Sequence, residues 1–302
     1  MEKAYQTPAA FDRALKKAAK ATSDPGEAYR QALRDRFLCR VFYNGNENFV
    51  LKGGSGMLAR IPDARATKDL DFATCERINA FDALEEMRRI ASIDLGDWCE
   101  FRLTKSEESM DENGYSRLLK LRFATFVGRD EKDPVLIDLS LDCNTTLPPE
   151  RIVPANRLNV DGLENCDYLA YPLPDQLADK MCAIMELQPG GYPSSRMKDL
   201  VDVVTYATHE CFLLGQLRHA VESECAKRGM DKPKGFVAPA SWAERFESYA
   251  AKNGVSGKFA SFNGATELAA RFFEPVLSNA ESPQMEWDAE EMRWTSPADG
   301  TI

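Results

Sequence analysis

The chain has 302 residues, of which 44% are hydrophobic and 28% are charged, and its formal net charge is −10 at pH 7. These values are typical of a globular protein with two domains or subdomains, and the negative charge argues against indiscriminate nucleic-acid binding through bulk charge. No apolar run approaches the ~20 residues that a membrane span needs, and the N-terminal segment lacks the apolar core of a signal peptide. With two histidines and no C-x-x-C pair among the eight cysteines, we expect a cytoplasmic protein without a zinc site.

Two helices are predicted before residue 45. Thr7 and Pro8 are typical of a helix N-cap and first turn, and this helix should run to about Lys20. A second helix should begin after Ser23-Asp24-Pro25 and end near Val41, because apolar residues recur at helical spacing. It also carries four arginines, which we interpret as a solvated face rather than an RNA-binding one: Arg30, Arg34, Arg36 and Arg40.

The central stretch of the sequence runs from residue 48 to residue 74. An apolar strand reaches a glycine-rich turn, Lys52-Gly53-Gly54-Ser55-Gly56, and a short segment then ends at Pro62. The strand that follows begins Asp69-Leu70-Asp71-Phe72. Because side chains alternate along a strand, Asp69 and Asp71 should lie on one face.

The glycine turn by itself is a weak signal. It matches a relaxed dinucleotide fingerprint, but Pro62 ends the following helix too early for a parallel crossover. It is not a P-loop, since its lysine precedes the glycines, and a plain tight turn stays possible. The Asp-x-Asp pair could likewise be an ordinary solvent-facing strand edge.

A helix is predicted over Ile78–Ile93, followed by three strands at Trp98–Thr104, Ser116–Val127 and Val135–Asp142. The acidic segment at 106–114 should be the hairpin loop between the first two strands. The third strand is almost entirely apolar, as expected of a strand buried on both faces. A carboxylate in its middle, Asp138, would then have to be paired or metal-bound.

The second half of the chain is predicted to be helical. After an extended connector at 148–167, helical patterns cover 173–187, 194–208, 212–228, 240–252 and 264–277. We therefore expect an α/β (α+β) fold: a domain at 1–150 on a small mixed sheet, a helical domain at 151–280, and a loosely ordered acidic tail at 281–302.

Three strand carboxylates suggest a metal-dependent chemistry. Asp69, Asp71 and Asp138 could together hold two Mg²⁺ ions, which prefer oxygen ligands and bridge to substrate phosphates. The glycines allow close approach to backbone N–H groups, and Ser55 adds a hydroxyl donor for phosphate.

These motifs resemble the AbiEii/AbiGii family of nucleotidyltransferase toxins, which includes the MenT toxins and belongs to the polymerase-β-like superfamily. The similarity covers roughly residues 30–210. It runs through the following residues in order: Lys52-Gly-Gly-Ser55, Arg65-x-Thr67-x-Asp69-x-Asp71, Ile137-Asp138, Lys180 and Arg196-x-Lys198-Asp199-x-x-Asp202.

The resemblance implies roles for individual residues. The nucleotide would contact Lys52, Gly53, Gly54, Ser55, Arg65, Thr67, Lys180 and Asp202. Metal would be held by Asp69, Asp71 and Asp138, and the catalytic residues would be Asp69, Asp71, Lys180 and Asp199. From the residues alone, Lys180 could also be a snorkelling surface lysine, and Asp199 could form a surface salt bridge with Arg196 or Lys198.

The resemblance also implies a function. The expected protein is a toxin with an antitoxin partner, which transfers nucleotides from NTP to the 3′ end of tRNA or another RNA and so blocks translation; no DNA or membrane partner is expected. Two alternatives stay open, namely nucleotidylylation of a protein target and a non-catalytic nucleotide-binding module that acts through a partner. The expected RNA-binding patch is Arg60, Arg65 and Lys68, with Arg30 and Arg34 as further members.

Overall fold

The computed structural model describes residues 3–62, 64–111, 114–142, 145–278 and 281–296. The chain forms two compact units. The first unit comprises Met1–Pro62, Ala66–Asn144 and Pro149–Tyr171, and the second comprises Asp63–Arg65, Thr145–Pro148 and Pro172–Ile302. No helix in these described ranges is long and apolar enough to cross a bilayer.

The first unit is a mixed sheet with helices, as the sequence predicts. Its helices are α1 (Pro8–Ala19), α2 (Pro25–Val41), α3 (Gly53–Arg60) and α4 (Ala80–Ala91). Its strands are β1 (Phe49–Lys52), β2 (Asp69–Thr74), β3 (Cys99–Met110), β4 (Arg117–Val127), β5 (Asp130–Ser140), β6 (Glu150–Ile152) and β7 (Tyr168–Ala170). The order is β3-β4-β5-β2-β1-β7-β6, with β2–β5 and β1–β7 parallel and the other pairs antiparallel.

The sheet buries one of its faces. Alternate residues of the strands join the apolar side of α2 and α4 in one core, with Phe37, Phe72, Met87, Phe123 and Ile137 among its members. The other residues of each strand therefore point to the opposite face, because successive side chains alternate. That opposite face, called the charged face below, carries Lys52, Asp69, Asp71, Asp138, Lys120 and Arg122.

The first two helices begin where their capping residues predict. The Thr7 hydroxyl accepts a hydrogen bond from the Ala10 N–H at 3.1 Å, and Asp24 Oδ1 accepts one from the Glu27 N–H at 3.0 Å. Each helix has a proline in its first turn, where the missing N–H costs nothing. Local capping chemistry thus determines where both helices begin.

The arginines of α2 correct the sequence interpretation. Arg36 and Arg40 are only 1% exposed, and both bind the buried carboxylate of Asp97, at 2.8 and 2.7 Å. Burial alone would raise the pKa of Asp97, but Arg40 and Arg36 hold this pKa below its usual value. These cations form neither a solvated face nor an RNA-binding face, because a distant acid pairs with them inside the first unit.

Two strand predictions also need correction. β3 continues through Met110, so Ser106, Glu107 and Glu108 are strand residues rather than loop, since they pair with the long strand β4. β5 is not buried on both faces: residues 135, 137 and 139 are buried, whereas residues 136 and 138 are half-buried. Asp138 therefore lies on the charged face.

The predicted connector contributes two strands that the sequence analysis did not identify. β6 pairs with β7, and β7 pairs in parallel with β1 through Leu51 and Ala170. Residues 149–171, with both of these strands, belong to the first unit. The short strands lack the alternating pattern that would reveal them in the sequence.

The second unit is mainly helical, as predicted. Its helices are α5 (Leu173–Met185), α6 (Met197–Ala207), α7 (Leu214–Arg228), α8 (Ala243–Lys252) and α9 (Phe262–Ser278). It also contains a three-stranded sheet of β8 (Phe212–Leu213), β9 (Glu286–Asp288) and β10 (Arg293–Thr295).

The described part of the acidic tail, 281–296, is folded rather than loosely ordered. β9 pairs with β8 and with β10, and Trp287 is 1% exposed. The Trp287 indole N–H donates to the Ala207 carbonyl at 2.7 Å, and its ring packs edge-on against Phe272. The buried indole of Trp287 outweighs the acidic composition here. The rest of the predicted tail, 297–302, lies outside the described residues.

Candidate active site

A row of charged residues crosses the charged face at five successive strands. Cross-strand partners join Lys52 to Asp71, Asp71 to Asp138, Asp138 to Lys120, and Lys120 to Glu107. Direct partners lie on the same face, and neighbouring strands are roughly 4.8 Å apart. Asp71 and Asp138 are therefore adjacent carboxylates, with a lysine on the next strand on either side.

Asp69 lies one step further along the strand. It shares a face with Asp71, as predicted, but its partner on β5 is Leu136. Two residues along a strand span roughly 7 Å, so Asp69 is less close to Asp138 than Asp71 is. The three carboxylates thus form an adjacent pair with a third acid beside it.

Two of the residues that the sequence assigns to nucleotide binding, Ser55 and Thr67, form hydrogen bonds to the start of β2. The hydroxyl of Ser55 donates to the Asp69 carbonyl at 2.8 Å, and the Thr67 hydroxyl donates to the same carbonyl at 3.2 Å. Both hydroxyls hold the backbone at the point where the Asp-x-Asp strand begins. The structure therefore brings Ser55, Thr67 and Asp69 together.

Gly53 lies directly against Asp71. Its φ is +61°, and a Cβ built at this position would lie 2.3 Å from Oδ2 of Asp71. Only glycine fits here, because both the backbone conformation and the space exclude a side chain. The N-cap residue of α3, Lys52, forms no side-chain cap hydrogen bond, and the N-terminus of this helix lies beside the Asp71 carboxylate.

The donor set of the charged face suits Mg²⁺. Carboxylate oxygens are its preferred protein ligands, and it is usually bound by one or two carboxylates together with water and substrate phosphates. Among the described residues, no group of three or more metal-ligating side chains is gathered into one cluster. The adjacent pair Asp71 and Asp138 fits an ion that completes its shell with substrate oxygens rather than an all-protein cage.

The second unit contains its own cluster of predicted site residues. Lys180 Nζ lies 2.6 Å from Asp202 Oδ2 and 3.2 Å from Asp199 Oδ1. Arg65 donates to both oxygens of Asp202, at 2.7 and 3.0 Å, and Arg196 binds Asp199 at 2.7 Å. The lysine is 5% exposed, so it is not a snorkelling surface residue. The salt bridge between Arg196 and Asp199 that the sequence offered as an alternative is present.

Burial and charge act in opposite directions on these groups. Burial alone would lower the pKa of Lys180, but the carboxylates of Asp202 and Asp199 outweigh it and raise this pKa above its usual value. Burial alone would raise the pKa of Asp202, but Lys180 and Arg65 hold that pKa below its usual value. Both groups are therefore charged at neutral pH.

The basic patch predicted from the sequence is largely neutralised by salt bridges. Arg60 binds Glu150 at 2.7 Å, and Arg65 binds Asp202. Arg30 and Arg34 both bind Glu27, at 2.8 and 2.9 Å. Lys68 is exposed. The position of these basic residues near the Asp-x-Asp strand in the sequence therefore did not show which of them are accessible to RNA.

Sequence reasoning missed Lys120 and Arg122. They alternate with buried residues along β4, which is a visible signal of a charged strand face. Their position beside the carboxylates depends on the pairing of β4 with β5, and register cannot be read from one strand alone.

Comparison with known proteins decides the family. The profile described as "Nucleotidyl transferase AbiEii toxin, Type IV TA system" matches residues 36–290, which is most of the chain. The chain belongs to the AbiEii nucleotidyltransferase toxin family. This AbiEii protein is therefore a nucleotidyltransferase and a toxin of a type IV toxin–antitoxin system, which implies an antitoxin partner. The non-catalytic alternative is thereby set aside.

A solved structure shares the fold of this AbiEii toxin. MenT4, a nucleotidyltransferase toxin of Mycobacterium tuberculosis H37Rv, is similar with a TM-score of 0.53 at 15% identity, over 90% of each chain. A putative nucleotidyltransferase from H. pylori matches with a TM-score of 0.44 at 16% identity, over 83% of this chain and 98% of that one. A search of curated protein sequences finds no match.

Proposed function

We propose that this AbiEii toxin transfers a nucleotide from an NTP to the 3′ end of an RNA, tRNA foremost, with Mg²⁺ as cofactor. The observation that carries the proposal is the in-register pair Asp71 and Asp138 on neighbouring parallel strands. In the reaction, the RNA hydroxyl oxygen forms a bond to the α-phosphorus, the bond to the β-phosphate oxygen breaks, and pyrophosphate leaves. The hydroxyl proton is released.

One Mg²⁺ ion would be held by Asp71 and Asp138. Asp69 would provide a ligand for a second ion. Carboxylate oxygens are preferred Mg²⁺ ligands, and the two carboxylates lie in register on neighbouring strands, so one ion could contact both. When bound, Mg²⁺ lowers the pKa of an attacking hydroxyl and neutralises charge on the leaving pyrophosphate. Each aspartate would act by holding the metal through its carboxylate oxygens.

The phosphates of the nucleotide would contact the glycine turn. Gly53 and Gly54 form the start of α3, and a helix N-terminus carries partial positive charge. Lys52, which is the β1 partner of Asp71, would add a full charge beside the triphosphate. Ser55 and Thr67 would act by positioning the backbone at Asp69, because their hydroxyls bind its carbonyl.

We propose that Lys180, Asp199, Asp202 and Arg65 act as a unit in the same reaction. Their ion pairs keep Lys180 protonated in spite of its burial, so the family's assignment of a catalytic ammonium is chemically consistent with its surroundings. The same pairs occupy two donors of its ammonium group. A role in triphosphate contact would therefore use its remaining donor.

The cations on the charged face favour an RNA acceptor over a protein acceptor. A ribose 3′ hydroxyl carries a neighbouring phosphodiester chain, and cations on the charged face could hold that chain. Protein nucleotidylylation would require no such cations. The acceptor can be identified by where the label from an NTP is found.

The test incubates the protein with total RNA, Mg²⁺ and each α-³²P-labelled NTP in turn. Label should enter small RNA, and periodate oxidation of the RNA 3′ end beforehand should abolish labelling. Asp71→Asn and Asp138→Asn should be inactive with an intact fold. Asp133→Asn is the matched control, since it makes the same change at an exposed position on the same strand. Label that survives RNase and migrates with protein would replace RNA by a protein acceptor.

A further inference from the structure

We propose that Lys120 and Arg122 on β4 bind the phosphodiester backbone of the acceptor RNA next to its 3′ end. This inference rests on the proposed function, because it names the surface that holds the acceptor. The ligand class is single-stranded RNA, recognised through phosphate charge rather than through base identity.

The geometry places these two cations directly beside the carboxylates. Lys120 is the cross-strand partner of Asp138, and Arg122 is the partner of Leu136, one step further along the same face. The pairing puts Lys120 roughly 5 Å across the sheet from Asp138, and Arg122 roughly 7 Å along the strand from Lys120. A cationic track therefore begins where the row of carboxylates ends.

Both side chains are accessible. Lys120 and Arg122 are exposed, and neither forms a salt bridge with another residue in the described ranges. On the neighbouring strand, Lys105 is instead tied to Glu107 at 2.7 Å. The patch expected from the sequence is occupied in a similar way, since Arg60 and Arg65 bind Glu150 and Asp202. Lys120 and Arg122 are thus accessible cations on this face.

Charge complementarity argues for a phosphate chain as the occupant. The chain as a whole carries a net charge of −10, and the carboxylates of Asp138 and Asp71 lie on the next two strands of the same face, so an RNA end is repelled unless local cations offset them. Two cations on neighbouring steps of one strand can contact successive phosphates. A second reading, in which Lys120 only pairs with Glu107 across the hairpin, predicts no effect on RNA binding.

A third reading assigns Lys120 to the triphosphate. Lys52 already lies on the other side of the carboxylate pair, next to the glycine turn. Lys120 is on the side away from that turn, separated from β1 by β5 and β2. The strand order therefore favours the acceptor over the nucleotide as its ligand.

The experiment uses the full-length protein with Lys120→Gln, Arg122→Gln and the double variant. The control is Arg88→Gln/Arg89→Gln on α4, which removes the same number of exposed charges from the helix that packs on the opposite face. Circular dichroism and thermal unfolding verify that every variant is folded. Binding of 5′-labelled deacylated tRNA is measured across a range of salt concentrations, and binding of NTP with Mg²⁺ is measured separately.

We expect the double variant to bind the tRNA at least about tenfold more weakly and to lose about 1.4 from the slope of log affinity against log salt, because each lost phosphate contact on a single strand contributes about 0.7. NTP affinity should stay within about twofold of wild type. The KM for RNA should rise, and the α4 control should behave as wild type.

The outcomes separate this inference from the proposed function. If wild type labels RNA and the double variant binds and labels it equally well, the inference is overturned and the proposed function stands. An equal loss of NTP affinity also overturns it, because the residues would then belong to the nucleotide site. The wild type could instead bind RNA without labelling it. If the double variant then loses this binding, the proposed binding surface stands and the proposed transfer to RNA is contradicted. A wild type that neither binds nor labels RNA removes both.

Discussion

The backbone of Gly53 lies so close to the Asp71 side chain that a Cβ at position 53 would not fit between them. A Cβ at Gly53 would lie 2.3 Å from Oδ2 of Asp71, and the backbone of Gly53 has a φ of +61°. The glycine turn therefore limits where the Asp71 carboxylate can lie. Two motifs that are eighteen positions apart in the sequence form one rigid feature.

Gly53→Ala should abolish most of the nucleotide transfer. The new methyl group must displace the Asp71 carboxylate, and a misplacement of about 1 Å can cost about 10²-fold in rate. Gly45→Ala is the matched control, because Gly45 also has a positive φ, +71°, but its added Cβ would meet nothing within 4 Å. Both variants should lose similar stability, of about 1 kcal/mol. Equal activity in the two variants would contradict the contact.

Mg²⁺ should raise the melting temperature of the wild-type protein. A ligand that binds only the folded state stabilises it by about 2.7 kcal/mol at a hundredfold excess over its Kd. Asp71→Asn and Asp138→Asn should reduce or abolish this rise, because each change removes one carboxylate of the in-register pair.

The control for the magnesium experiment is Asp133→Asn, which should keep the full rise. Chelation with EDTA should return the wild-type melting temperature to its metal-free value. A wild type whose melting temperature is independent of Mg²⁺, in the presence and absence of NTP, would contradict metal binding by this pair.

Lys180→Ala should destabilise the protein by about 3–5 kcal/mol, because it leaves two buried carboxylates, Asp199 and Asp202, without their shared cation. Lys198→Ala is the control: that residue is exposed beside Asp199, and its removal should stay within about 0.5 kcal/mol of wild type. Urea unfolding measures both values.

A double-mutant cycle between Lys180 and Asp202 should show strong coupling. Removing both charges should cost less than the sum of the two single changes, because neither charge is then left unpaired. Additive effects would mean that the ion pair at 2.6 Å contributes little.

The same ion pairs predict a pH dependence of stability. The pKa of Asp202 is lowered in the folded state, so the unfolded state binds the proton more readily, and stability is lost as pH falls below about 3.9. The pKa of Lys180 is raised, so its contribution is lost only as pH rises above about 10.4. Asp202→Asn should flatten the acid limb of stability against pH. An unchanged acid limb would contradict a charged, paired Asp202.

The elements that could be predicted from the sequence are those with strong local signals. Helices α1 and α2 begin directly after Thr7 and Asp24, because a capping side chain and a proline act within one turn. The prediction that Asp69 and Asp71 lie on the same face of their strand follows from strand geometry and is confirmed. The family resemblance, carried by the order of short motifs, is confirmed as well.

Other features depended on contacts between distant segments. The sequence alone suggests that Arg36 and Arg40 are surface charges. In the structure they are buried inside the first unit and pair with Asp97, some sixty residues away. The composition of the acidic tail predicts a loosely ordered segment. In the structure, the Trp287 indole N–H donates a hydrogen bond to the Ala207 carbonyl at the end of α6. In both cases composition indicated exposure, and a single distant partner reversed it.

The sequence by itself determined the kinds of residue available for chemistry and their local arrangement: a glycine turn, two aspartates on one face of a strand, and a later strand that carries a third aspartate. The tertiary structure alone decided which of them are neighbours. Strand order and register place Asp138 beside Asp71 and Lys120 beside Asp138, while ion pairs occupy Arg60 and Arg65. The physical reason is that side-chain alternation is a local property of one strand, whereas register is set by the packing of the whole sheet.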